Sequence, residues 1–113
     1  MIKRQPNESR CDHTESAHEF DIDGLCPVSG NPLPGSMIRI QYIPERWYLE
    51  VYSLKHYIES FRGGKDDIRS MEGMLQAVAK DCSESVEVPV TVIARLVIHP
   101  GQRMIITTKH NPS

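Results

Sequence analysis

Ser53-Leu54-Lys55-His56-Tyr57-Ile58-Glu59-Ser60-Phe61 is the stretch at which the chain changes period. Leu54, Tyr57, Ile58 and Phe61 fall at i, i+3, i+4 and i+7, which sets them on one face of a helix. Ser53 stands where an N-cap belongs, and Gly63-Gly64 supplies a stop. Asp66 and Asp67 then open a second helix, with negative charge at its positive end. Its buried stripe is Ile68, Met71, Leu75, Val78, Ala79 and Cys82, so Cys82 reads as a small core residue.

Upstream of these helices the period is two. Phe20 and Ile22 alternate with Asp21 and Asp23, a strand over 18–25 that runs toward Cys26. Pro27, Pro32, Pro34 and Gly35 punctuate the following turn. Ile38, Ile40 and Tyr42 share a face of a strand over 36–43. Trp47 to Tyr52 reads as its hairpin partner across Pro44-Glu45-Arg46. Downstream, Val88 to Ile98 is a long strand, apolar on both sides and therefore expected to be covered on both. A turn at His99-Pro100-Gly101-Gln102 leads into a last strand over 103–108. Two adjacent helices on one face of an antiparallel four-stranded sheet make an α+β fold. The second face calls for further copies of the chain, so a homo-oligomer is expected.

The chain has 113 residues, 39% hydrophobic and 25% charged, with a net charge near −2. That is one ordinary folded domain, expected over 17–108 between an arm at 1–16 and a tail at 109–113. The basic residues are scattered, so direct nucleic-acid binding is not expected. Neither a membrane span nor the apolar core of a signal peptide is visible. Three cysteines without framework spacing read as free thiols in a reducing cytoplasm. Cys11, His13 and His18 are metal-capable side chains, but their spacing matches no zinc pattern and a fourth ligand is missing. The expected metal content is none.

A short set of residues carries candidate chemistry. Cys26 sits at a strand end before a turn, where a thiol is accessible; it is either a structural cysteine or a nucleophile. Glu72, near the start of the second helix, is either a solvated glutamate or a carboxylate that grips the N–H edge of a guanine-like ring with two hydrogen bonds. Glu50, Ser53 and Lys55 flank the strand-to-helix junction, where free amides and a lysine suit a phosphate unless they simply cap the helix. His56 and His99 have no evident partners.

Cys26-Pro27-x-Ser29-Gly30-x-Pro32, then Ile40-x-Tyr42-Ile43-Pro44, then Glu50-x-x-Ser53-Leu54-Lys55-x-Tyr57-x-x-Ser60-Phe61-Arg62, resembles the QueF family, over roughly residues 20–108. Those are NADPH-dependent 7-cyano-7-deazaguanine reductases of the tunnelling fold. The resemblance implies an oligomeric barrel, active sites between subunits, a cytoplasmic enzyme and a place in queuosine biosynthesis. It implies that Cys26 is the nucleophile that adds to a nitrile carbon to give a thioimidate. It implies that Glu72 anchors the base, given a longer loop over 63–67, and that Glu50, Ser53 and Lys55 belong to the NADPH signature. More distant relatives, the GTP cyclohydrolase I enzymes, carry a histidine pair for zinc where Val28 and Ser29 stand here, so zinc is not implied.

The departures are as specific. The family's general-acid aspartate is Leu33, the first lysine of its cofactor motif is Tyr52, and the histidine before its anchoring glutamate is Met71. The arginine after the proline of the last turn has no counterpart, although Arg103 is near. Leucine cannot deliver the protons that nitrile reduction needs. Three functions therefore stand: the reduction itself; non-reductive chemistry on a 7-substituted deazaguanine, as amidine formation or removal of the substituent, for tRNA or DNA modification; and a non-catalytic deazapurine-binding or partner subunit.

Overall fold

The computed structural model describes residues 2–8 and 13–113. In chain order the elements are β1 (Arg4–Pro6), β2 (Ser16–Ile22), β3 (Leu33–Tyr42), β4 (Trp47–Leu49), α1 (Val51–Glu59), α2 (Met71–Val86), β5 (Val90–His99) and β6 (Gln102–His110). The main sheet has four antiparallel strands in the order β2-β3-β5-β6, and a separate two-stranded sheet pairs β1 with β4. The α+β class and the two helices are as the periodicity predicts. Among the described residues no helix is long and apolar enough to cross a membrane.

Register explains the core. Ile38 faces Ala94, Ile40 faces Val92 and Tyr42 faces Val90 across β3 and β5. All six are buried, with Ile38, Ile40, Val90, Val92 and Ala94 at 0% exposure. Leu54, Tyr57 and Ile58 of α1 and Met74, Leu75, Val78 and Cys82 of α2 belong to the same core. The other face of the sheet carries Arg39, Gln41, Thr91, Ile93, Arg95, Ile105 and Lys109 by the same alternation. Ile105 is 62% exposed there.

Four local expectations change. The expected hairpin of 36–43 with 47–52 does not form: both edges of β3 are taken by β2 and β5, so β4 pairs with β1 instead. Asn7 fixes that arrangement, its backbone N–H donating to the Arg46 carbonyl at 2.9 Å and its side-chain amide to the Glu45 carbonyl at 2.8 Å. Arg4–Pro6 is thus paired strand within the segment 1–16 expected to be an arm, and Arg4 lies over the Trp47 ring at 3.8 Å. The N-cap of α1 is Glu50, not Ser53; its carboxylate accepts from the Ser53 and Tyr52 amides at 2.7 and 2.8 Å. Finally, α2 starts at Met71 rather than at Asp66-Asp67. Asp66 has φ 53, outside the right-handed helix, and the Ser70 hydroxyl accepts from Gly73 N–H at 3.0 Å to cap the helix there. Cys11 lies outside the described residues.

Candidate active site

The Cys26 turn is closed by its own backbone. Cys26 N–H donates to the Asn31 carbonyl at 2.9 Å, and Gly30 N–H donates to the Cys26 carbonyl at 2.8 Å. Gly30 has φ +74 with nothing within 4 Å of where a Cβ would sit, so the requirement for glycine there is conformational. The turn is tied to the end of α1: Gly63 N–H donates to the Gly24 carbonyl at 2.8 Å, and Arg62 pairs with Asp23. It is tied to β3 as well, since Gly24 N–H donates to the Pro32 carbonyl at 2.9 Å. A cysteine at a strand end is thereby held on a rigid loop and remains partly exposed.

The thiol environment favours its ionised form. Ser29, three residues on, holds Cys26 Sγ below the ordinary thiol range through its hydroxyl and its backbone N–H, the latter at 3.5 Å. The Val28 amide and the charge of Arg69 act in the same direction. Cys82 is the opposite case: burial, then the charge of Asp81, pushes its thiol up to about 12. Only Cys26 of these two is chemically poised.

Beside the turn lies a cleft of about 170 Å³. Leu25, Pro32, Phe61, Ile58, Ile22 and Met74 give it apolar walls, and Asp21, Asp23, Glu59 and Arg62 line its polar part. Glu72, the second residue of α2, is exposed at the helix start. That end of α2 approaches the Cys26 turn through Gly64. A Cβ on Gly64 would lie 3.7 Å from Arg69 Cγ and 3.8 Å from Pro27 Cδ. Cys26 and the segment bearing Glu72 are thus brought to the same corner of the fold.

Glu50, Ser53 and Lys55 are not brought there within one chain. They stand at or near the N-terminal end of α1, whereas the Cys26 turn is tied to its C-terminal end. The nine residues of α1 span about 13 Å. The amides at this helix start are already occupied by Glu50, whose carboxyl is held below the usual carboxylate range by the Tyr52 and Ser53 N–H groups. Ser53 Oγ in turn accepts from Lys3 N–H at 2.9 Å. Lys55 is exposed, as is Tyr52 at 74%.

The remaining residues fall as follows. Leu33 is a half-buried strand residue opposite Val97, next to a bulge that Ser36 stitches: its hydroxyl donates to the Leu33 carbonyl and accepts from Val97 N–H, both at 2.8 Å. Met71 is buried, and His56, His99 and Arg103 are exposed. His13 is exposed. His18 is in β2, stacked on Tyr42 at 6.3 Å, with burial lowering its pKa. Sequence reasoning missed Arg69 and the roles of Ser29 and Gly64. Ser29 was legible as a hydroxyl within reach of Cys26; Arg69 was not, because it arrives through the Gly64 turn.

Curated relatives match part of the chain. The chain is 33% identical over 69 residues to the NADPH-dependent 7-cyano-7-deazaguanine reductase of Methylocella silvestris, covering 52% of this chain and 44% of the relative. It is 43% identical over 63 residues to the reductase of that name from Methylorubrum extorquens, covering 55% and 40%. The same named reductase from Thermomicrobium roseum is 30% identical over 87 residues, covering 76% of this chain and 65% of the relative. The chain is a divergent QueF-like protein. No family model matches it. The QueF-like chain spans less than half the length of the first two relatives.

Proposed function

We propose that this QueF-like chain is an enzyme acting on a 7-deazaguanine base through Cys26, by resemblance in the NADPH-dependent reduction of 7-cyano-7-deazaguanine to 7-aminomethyl-7-deazaguanine. The observation that carries this is the poised, partly exposed Cys26 thiol on a closed turn, in a chain similar to reductases of that name. In this reading the thiolate adds to the nitrile carbon, and Glu72 accepts two hydrogen bonds from the ring's N–H edge. NADPH supplies the hydrides, two for a nitrile carried to an amine. Lys55 would meet it, with Glu50 and Ser53 shaping that junction. Because these lie about a helix length from Cys26 in one chain, a neighbouring copy brings them to the thiol. The tunnelling-fold barrel of several copies is part of the same proposal, and the open sheet face with Ile105 at 62% exposure supports it.

Two observations favour a second reading. Leu33 offers no proton at the turn, and the amides of the α1 start are filled by Glu50. Cys26 would then serve non-reductive chemistry on a 7-substituted deazaguanine, with amidine formation or removal of the substituent, for tRNA or DNA modification.

The test is direct. The protein is mixed with 7-cyano-7-deazaguanine and its intact mass is measured; an adduct that vanishes in Cys26→Ala is expected. NADPH is then added and its absorbance followed. Adduct with NADPH oxidation supports the reductase. Adduct without oxidation overturns reduction and leaves the non-reductive reading. Absence of any adduct, with the base still bound, weakens reduction and amidine formation and leaves removal of another 7-substituent or a non-catalytic binding subunit.

A further inference from the structure

Ser53, His56 and Ser60 fall at i, i+3 and i+7, a polar stripe along α1 beside the apolar one. The stripe walls a cleft of about 420 Å³ that shares no residue with the cleft at the Cys26 turn. Two remote segments complete it, with Lys3 from just before β1 and Lys65 from the turn between the helices. The Lys3 backbone is pinned on both sides: its N–H donates to Ser53 Oγ at 2.9 Å and its carbonyl accepts from Glu50 N–H at 3.0 Å. Lys65 Nζ donates to Ser60 Oγ at 2.9 Å and lies over the Tyr57 and Phe61 rings at 4.6 and 4.8 Å. Ser53 and Ser60 stand about 10 Å apart along the helix, and the four-carbon stem of Lys3 covers much of that gap.

We infer that this cleft is a binding site for the phosphate monoester of a nucleotide, held between the ammonium groups of Lys3 and Lys65. Its one carboxylate, Glu50, is committed to the Tyr52 and Ser53 amides. Among the described residues neither lysine forms an ion pair; the pairs are Arg4–Glu87, Arg39–Glu19 and Arg62–Asp23. An adjoining groove on the α2 side brings Asp81 and Glu84 toward the same two lysines. Asp81 accepts from the Tyr57 hydroxyl at 2.6 Å, and neither carboxylate belongs to the walls of the cleft itself. A phosphate offers several acceptor oxygens to two point-charge donors, and His56 adds a ring N–H on the stripe between them. Tyr52, 74% exposed, gives the cleft a flat aromatic face for a base. NADPH carries such a monoester on its adenosine ribose. That NADPH is the source rests on the proposed function; the cleft does not.

The test is isothermal titration of the full chain with adenosine 2′-monophosphate, with adenosine as the uncharged control. The phosphorylated probe should bind about tenfold or more tightly than adenosine. Lys3→Ala and Lys65→Ala should each weaken it about fivefold, the upper worth of an exposed charge pair, and Lys3→Glu should abolish it. Lys80→Ala removes an exposed lysine outside the cleft and should change nothing. Lys3→Ala spares the fold, because the hydrogen bonds of Lys3 are made by its backbone; a urea melt of Lys65→Ala checks the loss of its ring contacts. Equal binding of probe and adenosine, or equal losses in Lys3→Ala and Lys80→Ala, overturns the inference. Competition assigns the source. NADPH displacing the probe while NADH is inert points to the cofactor's 2′-phosphate; inorganic phosphate displacing it while NADPH is inert points to another phosphate ligand at the same site. The probe carries neither a deazaguanine nor a hydride, so a failed cleft leaves the Cys26 reading untouched, and failed reduction leaves the cleft untouched.

Discussion

The two ends of α1 make an instructive contrast. At the N-terminal end the capping groups are paired: Glu50 takes two amides, Ser53 Oγ takes Lys3 N–H, and Glu50 N–H donates to the Lys3 carbonyl at 3.0 Å. At the C-terminal end the backbone is just as fully bonded, but the side chains at the Cys26 turn are left open. Cys26 is partly exposed and Arg69 and Glu72 are exposed around it. A self-satisfied helix start is a structural joint. A rigid backbone presenting an ionisable thiol and unspent charges is what a reactive site requires.

The contrast breaks most cleanly at the thiol. Cys26→Ala should abolish adduct formation while leaving the melting temperature unchanged; a large loss of stability would mean that Cys26 is structural. Next in size is Glu72→Ala, expected to weaken binding of 7-cyano-7-deazaguanine about 100-fold or more, the worth of two charge-assisted hydrogen bonds. Isothermal titration with Cys26→Ala as the background measures it, and an unchanged dissociation constant removes Glu72 from the site.

Ser36 joins the turn's supporting strand to β5. Ser36→Ala leaves the part-buried Val97 N–H without its partner and should cost about 1 kcal/mol in a urea melt. The effect on Cys26 alkylation should be small, because the turn is closed by its own bonds. The smallest effect is at the opposite end of α1. The Glu50 carboxyl has a folded pKa below its unfolded one, so its stabilisation is present above the ordinary carboxylate range and is lost as pH falls through the folded value. Glu50→Gln should therefore lower the melting temperature at neutral pH and flatten the acid side of the stability profile, with no change at Cys26. A change in NADPH affinity in the same variant would show that the Glu50 cap also shapes the proposed cofactor junction.

What was legible follows the physics of near neighbours. Ile38, Ile40 and Tyr42, and Val90, Val92 and Ala94, announced their faces by alternation, and all are buried. Leu54, Tyr57 and Ile58 announced a helix by their spacing. The motif residues placed Cys26 on its turn. What was not legible depended on competition. Both Ser53 and Glu50 are capable caps, and the carboxylate won because it reaches two amides at once. Asp66-Asp67 looked like a helix start; the left-handed backbone at Asp66 excludes it, and Ser70 caps the helix instead. The partner of β4 was misjudged because a hairpin is the local choice, and only the sheet order shows that β3 has no free edge.

The sequence alone determined the class of fold, the core stripes and the placement of Cys26 on a turn, because side-chain periodicity and turn chemistry act over a few residues. Only the tertiary structure decided that Arg69 and Pro27 share Gly64, that Glu50 fills the α1 start, and that these two places lie at opposite ends of one helix. Those facts rest on contacts between segments remote in the chain, and no local pattern encodes which remote segments will meet.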